Sequence, residues 1–269
     1  MLITALAEDT SCFQDYRPDK GLSLFIRTAK HNILFDFGYR GAFLDNARQM
    51  GIDIREVDIA VLSHSHDDHC NGIADFLAAN EKAKVYLQRS AFDGIYESID
   101  TPTPAYVGVD PALRDHPRLV PVDGSMVIDD ELALFSGVKP VGITAGMFRR
   151  EGDALIPDDF RHEQYLVIRE GGKRTLITGC SHCGIVNILG RATEAYGGVD
   201  VLLGGYHMIA YDLDKAADRK TVANIGRDLL RHGAMCYTCH CTGTRGYQLL
   251  KTVMGDRLGY LSTGMTLHI

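Results

Sequence analysis

Short apolar runs broken by turn-forming residues alternate along this chain with stretches of helical spacing. Met1–Glu8 is apolar almost throughout and reads as a first strand. Leu22–Ile26 and Asn32–Phe35 are predicted to pair as a hairpin around Thr28–His31, closed by Asp36-Phe-Gly38. Ala42–Met50 carries helical spacing and stops at Gly51, a residue suited to the position just past a helix end. Ile59–Leu62 is a run of four apolar residues, hence a buried strand, and the chain leaves it abruptly at Ser63. A helix from about Ile73 and a strand over Lys84–Leu87 follow.

Residues 94–118 break this rhythm. Pro102, Pro104, Gly108, Pro111 and Pro117 make the segment the least regular in the chain, and a long irregular stretch inside a domain is usually functional or mobile. It is expected to form a flap over a site. A strand is expected at Gln164–Ile168. The C-terminal part then repeats strand, glycine or polar turn, and helix. Arg174–Thr178 runs into Gly179–Gly184 and a helix over Ile185–Tyr196. Val199–Leu203 runs into Gly204–His207 and a helix around Ala216–His232. Ala234–Thr238 runs into Cys239–Gly243 and a helix over Tyr247–Met254. Gly259–Ser262 and Met265–Ile269 close the chain as strands. Strands mixed with helices in both halves, and no linker between them, predict an α/β fold of two sheets packed together with helices outside, in one domain spanning 1–269.

Composition narrows the function. A net charge of −7 over 269 residues offers no basic stripe for nucleic acid. No run nears the roughly 18 apolar residues of a membrane helix. The N-terminus has no basic region before its apolar run and is expected not to be a signal peptide, which points to a cytoplasmic protein. Seven cysteines, an odd number with several beside histidines, suggest reduced thiols near a metal rather than a disulfide framework. The expected partner is a small-molecule substrate, and self-association into a homo-oligomer is compatible with this composition.

Chemistry concentrates after the strand at 59–62, in His64-Ser-His66-Asp-Asp68-His69. Alternate residues of an extended segment point the same way, so His64 and His66 are placed to grip one ion. The tighter turn behind them lets Asp68 and His69 face a neighbouring position. Imidazole suits zinc, iron, copper or nickel, and a carboxylate beside an open position suits an activated water. His182, His207 and His240 each follow a short apolar strand, so six of the eleven histidines fall at equivalent strand ends. Such repetition is better explained by convergence on one site than by six unrelated surface histidines. Cys180-x-x-Cys183 and Cys236-x-x-Cys239 have the form of a separate four-cysteine zinc or iron–sulfur site, but interleaved histidines and the apolar setting of Cys236 argue against one.

The pattern His64-x-His-x-Asp-His69 after a buried strand, the Thr-Gly-Cys turn at 178–180 and the late His240 resemble the metallo-β-lactamase superfamily. More narrowly, Gly21-Leu-Ser-Leu, Leu34-Phe-Asp-Phe-Gly38, Gly179-Cys-Ser-His-Cys-Gly-Ile-Val-Asn187, Gly204-Gly-Tyr-His and His240-Cys-Thr-Gly are similar to its dihydropterin–ribofuranosylaminobenzene phosphate synthase-like branch, linked by name to methanopterin biosynthesis. The resemblance spans essentially the whole chain. It implies an αββα sandwich with a dinuclear centre at one edge. His64, His66 and His182 are then assigned to one ion and Asp68, His69 and His240 to the other, with Cys180 as a bridge where many relatives carry aspartate. In much of the superfamily a histidine precedes the Thr-Gly turn, and here His162 stands eighteen residues before Cys180. His182 is preferred to it, because His182 belongs to the branch motif and relatives tend to carry an acidic residue at the position of His162.

Two divalent transition-metal ions are therefore expected, zinc first, with iron or manganese as alternatives. Asp68 and His207 are the expected catalytic groups, the first steering the nucleophile and the second facing the substrate as an acid or donor. Asp36 is expected to orient a ligand histidine and Tyr206 to touch substrate, while for Arg149 and Arg150 a solvated pair is preferred to an anion site. His31, His116, His232 and His268 have no supporting pattern. The reaction expected is hydrolysis of an ester or phosphoester in a small anionic metabolite. A pterin-related synthase or di-iron redox enzyme, and a non-catalytic metal- or ligand-binding sensor, stay open at this point.

Overall fold

The structure, a computed structural model, describes residues 1–98, 103–141 and 146–269. One seven-stranded sheet comprises β1 (Leu2–Ala7), β2 (Ser23–Arg27), β3 (Asn32–Phe35), β4 (Ile59–Val61), β5 (Lys84–Gln88), β8 (Leu119–Val122) and β18 (Thr266–His268), in the order β18-β1-β2-β3-β4-β5-β8. A second comprises β9 (Met126–Val127), β10 (Leu132–Ser136), β13 (Gln164–Glu170), β14 (Lys173–Ile177), β15 (Val201–Gly204), β16 (Met235–Thr238) and β17 (Leu258–Tyr260), in the order β17-β16-β15-β14-β13-β10-β9. Antiparallel hairpins at one end of each sheet give way to parallel neighbours, β3-β4-β5-β8 and β14-β15-β16-β17.

Both faces of these strands are buried, and side-chain alternation assigns them to different cores. Ile33, Phe35, Ile59 and Val61 of the first sheet meet Leu132, Leu134, Leu166 and Ile168 of the second in the layer between the sheets. The intervening Leu34 and Ala60 face the opposite way, against Phe43, Ala47, Ile73 and Phe76 of α1 (Ala42–Gln49) and α3 (Ile73–Ala79). Tyr165, Val167 and Leu176 face α4 (Ile185–Tyr196), α5 (Ala216–Arg231) and α6 (Gly243–Met254). On α4 the buried positions Ile185, Ile188, Leu189 and Ala192 recur at i, i+3, i+4 and i+7, the stripe that helical periodicity requires. Three cores thus separate four layers, the αββα order expected. Phe35 is wholly enclosed between the sheets, and truncating such a side chain to Ala costs roughly 3–5 kcal/mol.

Residues 94–118, expected from their prolines to be irregular, hold two short strands. β6 (Ile95–Glu97) and β7 (Ala105–Tyr106) pair with each other, and β6 pairs with β11 (Met147–Glu151), which pairs with β12 (Ala154–Pro157), in a small sheet ordered β12-β11-β6-β7. The prolines confine strand structure to short pieces, and the distant β11–β12 hairpin supplies the partner that local pattern could not reveal. Residues 99–102 of the flap lie outside the described residues, as do 142–145 of the glycine-containing run before Arg149. The last helix begins at Gly243, four residues earlier than its apolar spacing suggested. A short helix α2 (Asp67–Cys70) occupies what was read as a tight turn. No helix among the described residues is long and apolar enough to cross a membrane.

Candidate metal centre

Strand direction brings the ligand-type residues together. β1, β3 and β4 run the same way, so Asp9, Asp36 and His64 all leave the first sheet at one edge. β14, β15 and β16 are parallel, and their C-terminal ends lead into Cys180, His207 and His240. The two edges face each other. His64 and His182 then stand with their Nε2 atoms 3.3 Å apart, and His66 shares a ligand-distance group with them. A few ångströms away His69 Nε2 lies 3.2 Å from Cys180 Sγ and 3.3 Å from His240 Nε2, with 3.4 Å closing the triangle. The Asp68 carboxylate is 3.8 Å from His69 Nε2 and 3.6 Å from His240 Nε2. His64, His66, His69, Cys180, His182 and His240 are all buried.

The backbone is built for close approach here. Gly21 has φ +99°, and a Cβ on it would lie 1.7 Å from the carbonyl oxygen of Asp68, which Leu22 N–H holds at 3.2 Å. A Cβ on Gly179 would fall 2.1 Å from Ser63 Oγ and 3.0 Å from His64 Nδ1. Among the described residues, the non-glycine positions with left-handed backbone are Asp36, Phe160, Ser181, His207 and His240. Four of them stand just past the strand ends that form the site, and Phe160 stacks on His182 at 4.7 Å with rings 1° from parallel. Strain of order 1–3 kcal/mol at each is held by the surrounding packing.

A ring of outer partners fixes which nitrogen of each imidazole carries hydrogen. Asp36, fully buried, accepts from Ser63 N at 2.6 Å, Ser63 Oγ at 2.7 Å and His69 Nδ1 at 2.7 Å. The carboxylate only accepts, so His69 carries its proton on Nδ1. Ser63 gives its hydroxyl hydrogen to Asp36 and therefore accepts from His64 Nδ1 at 2.8 Å. His240 Nδ1 donates to Asp9 at 3.0 Å, and its backbone N–H to Glu8 at 2.8 Å. In neutral rings these tautomers leave Nε2 of His64, His69 and His240 as lone pairs, all aimed at the same small region. The Nε2 of His66 is buried with no hydrogen-bond partner. Lone pairs crowded at 3.3 Å, an orphaned imidazole nitrogen and a thiol form a donor set that fits a bound cation.

Electrostatics divides the cluster in two. Burial, then the surrounding imidazoles, drives His64 and His182 well below the usual histidine range, and burial and His162 take His66 to about 3. These three imidazoles are held neutral. Burial also disfavours charge on His69 and His240, but Asp36 and Asp68 outweigh it at His69, and Asp9, Cys241 and Asp68 raise His240 to about 10. Burial would lift the Asp68 carboxyl, yet His69, His240 and His66 hold it down to about 2. The second group therefore stabilises positive charge, as an ion-binding position must. Burial pushes the Cys180 thiol up. Cys241, equally buried, is turned the other way by Cys180, His207 and His240.

His162 is placed differently from His182. Its Nδ1 accepts from Ser65 N at 3.1 Å, so its Nε2–H donates to Asp158 at 2.9 Å. It comes within ligand distance of His66 together with Asp158, but both ring nitrogens are engaged in pinning the loop that carries His64 and His66. His207 lies with its ring 4.3 Å from that of His182 and its buried Nδ1 unpartnered. Tyr206 turns its hydroxyl to the Tyr237 carbonyl at 3.0 Å, leaving its ring rather than its OH for any ligand.

The arginine pair is divided between the two readings: Arg149 is buried in ion pairs and Arg150 is exposed. Arg149 is buried against Glu151 at 3.1 Å and Asp159 at 3.3 Å, and Arg150 bonds Tyr96 Oη at 2.6 Å and covers its ring. Arg149 is thus satisfied by acidic neighbours and Arg150 by an aromatic one. All seven cysteines are free thiols. Cys236 packs in the helix-side core and Cys239 between the sheets, on opposite faces, so the two Cys-x-x-Cys pairs cannot share one ion. Sequence reasoning missed Glu8, Asp9, Glu163 and Cys241. Glu163, 1 % exposed, accepts from His182 N at 2.7 Å, Cys183 N at 3.0 Å and Tyr165 Oη at 2.5 Å. No motif marked it; a carboxylate entering an otherwise apolar strand was the available signal.

Comparison with known proteins agrees with this geometry. The model of the metallo-β-lactamase superfamily matches residues 16–222. A protein of Methanocaldococcus jannaschii named 7,8-dihydropterin-6-methyl-4-(β-D-ribofuranosyl)-aminobenzene-5′-phosphate synthase is 26% identical, over 90% of this chain and 87% of its own. An uncharacterised protein of the same organism is 25% identical over 75% of this chain and 77% of its own. Among solved structures, a metal-dependent hydrolase of the β-lactamase superfamily superposes with a TM-score of 0.81 at 26% identity, covering 100% of this chain and 99% of that one.

Proposed function

The chain belongs to the metallo-β-lactamase superfamily, and from that premise we propose that it is a metal-dependent hydrolase acting on an ester or phosphoester of a small metabolite. The observation that carries the proposal is the convergence of imidazole lone pairs, a thiol and a carboxylate on adjacent positions at the sheet edges. His64, His66 and His182 would hold one divalent ion, and Asp68, His69 and His240 the other, with Cys180 between them. Nitrogen and sulfur donors favour zinc over manganese, with iron next. Such ions, when bound, supply Lewis acidity toward a substrate oxygen and bring the pKa of a water towards neutrality.

The remaining work falls to the protein's own groups. Asp68, held as a carboxylate and reached by the imidazoles of His69 and His240, orients the attacking water and accepts its proton at Oδ. His207, beside His182, donates a hydrogen bond or proton to the leaving group. Lys20, whose charge is favoured by Asp68 and Asp67 against its partial burial, is the cation beside this loop suited to an anionic substituent, in place of the arginine pair.

Asp68→Asn tests the reading. It keeps size and an oxygen donor, removes the proton acceptor, and is expected to lower activity on a hydrolysed ester or phosphoester by roughly two or more orders of magnitude. Asp67→Asn is the control, since the Asp67 carboxylate pairs with Lys20 at 3.8 Å and forms no ion pair with the donor histidines. Equal behaviour of the two under saturating metal would remove Asp68 from its role. The name of the similar M. jannaschii protein favours a second reading, a synthase of pterin chemistry on the same site. No turnover on esters, lactones and phosphodiesters, together with visible absorbance from bound iron, would shift the balance to it.

A further inference from the structure

Beside the donor cluster, on its helix side, is a cavity of about 270 Å³ between the start of α4, the turn Met208–Ala210 and α5. We infer that this cavity binds an uncharged, planar aromatic or heteroaromatic part of the substrate, holding it while the reacting bond sits at the candidate centre. The inference rests on the hydrolase reading for the chemistry of that bond, though not for the pocket itself.

Four observations carry it. The walls are Ile185, Val186, Tyr206, Met208, Tyr211 and Ile225, which offer apolar and ring surface. None of the described residues lining it is Lys, Arg, Asp or Glu, so a phosphate or carboxylate placed there would find no cationic side chain to pair with. The cavity connects the two places a substrate must link. Val141 and Thr221 on its lining are exposed to solvent, whereas His182 and His207, also on its lining, belong to the buried cluster. Its volume is near the lower end of small-molecule sites, enough for one ring system rather than a whole metabolite.

The polar groups are few, as suits a ring with heteroatoms rather than a sugar. Asn187 gives its amide hydrogen to the Cys183 carbonyl at 3.1 Å, which leaves the side-chain oxygen to accept. α4 has no side-chain cap, so its first N–H groups beside Ile185 remain donors. Tyr206 presents its ring because its hydroxyl is held by Tyr237. The charged end of the substrate is thereby assigned to the Asp67–Asp68 loop beside Lys20, which does not line the cavity, and the uncharged end to this cavity.

The test uses the purified protein as isolated, with its metal content measured in parallel. Quinoxaline, a neutral bicyclic heteroaromatic, and phenyl phosphate, a charged single ring, are titrated and followed by saturation-transfer NMR. Quinoxaline is expected to saturate one site. Ile225→Trp, which fills the cavity from α5, is expected to weaken it by roughly tenfold or more. Thr221→Trp, at an exposed position on the same lining, gives the same reading if the first variant does not fold. Absence of quinoxaline binding, equal binding by the folded variants, or tighter binding of phenyl phosphate that the Trp variants abolish would overturn the assignment. Quinoxaline binding to protein that holds no metal would leave the pocket standing and defeat the hydrolase reading. Metal with no quinoxaline binding would do the reverse.

Discussion

Asp36→Asn probes the arrangement on which the proposed metal site depends. The wild-type carboxylate accepts one bond on Oδ1, from Ser63 N, and two on Oδ2, from Ser63 Oγ and His69 Nδ1. Asparagine is isosteric and tolerates the left-handed backbone at this position, φ 61°, so the main chain should not move. Its oxygen can keep the Ser63 N–H, but its NH2 then meets two donors. Two bonds to a charged acceptor are lost, each worth about 1.5–3 kcal/mol, partly recovered as Ser63 rotates and His69 changes tautomer. A metal-free destabilisation of roughly 2–4 kcal/mol follows. The tautomer change matters more. With Nδ1 accepting from the amide, the proton of His69 moves to Nε2, the atom 3.2 Å from Cys180 and 3.3 Å from His240, and the lone pair is gone. Metal affinity should fall roughly 10- to 100-fold, the usual effect of removing such an outer partner. Competition against a chromophoric chelator gives the affinity, and thermal melts with and without added zinc separate folding from binding. Affinity within a factor of about three of wild type, in a folded variant, would refute the tautomer argument.

Other outcomes follow from the same geometry. Elemental analysis of dialysed protein should find close to two transition-metal ions per chain, and less than about half an ion would count against the whole assignment. His182→Ala should lose the ion at His64 and His66 in an anomalous-scattering map, whereas His162→Ala should keep it and lose stability through the freed Ser65 N–H and Asp158. The reverse pattern would give the ligand role to His162. Thiol titration of native protein should modify Cys12, the exposed cysteine, first, and chelation should increase the reactivity of Cys180. A stable Cys180–Cys183 or Cys236–Cys239 disulfide in fresh protein would defeat this.

Much of the architecture was legible because strand and helix periodicities are local properties. Ile59–Leu62 announces a strand buried on both faces, and the i, i+3, i+4, i+7 stripe of α4 is written in consecutive residues. The small sheet was not legible. Its strands are two to five residues long, set among prolines, and joined through the β6–β11 pair across some fifty positions of chain. The partners of Arg149 and Arg150 were not legible for the same reason. A charged pair in sequence gives no sign of whether Glu151, Asp159 or Tyr96 already satisfies it.

The site divides along the same line. By itself the sequence determined the inventory: histidines, a carboxylate and a thiol at the ends of short apolar strands, where chain direction reverses or turns into a helix. Only the tertiary structure decided which of their atoms are available. His162 and His182 are both histidines at strand ends, but Ser65 and Asp158 occupy both nitrogens of one, and the Nε2 of the other faces His64. His69 and His240 owe their tautomers to Asp36 and Asp9, which lie 33 and 231 residues away along the chain. A hydrogen bond acts over about 3 Å, so which lone pair is left free depends on neighbours that only folding brings together.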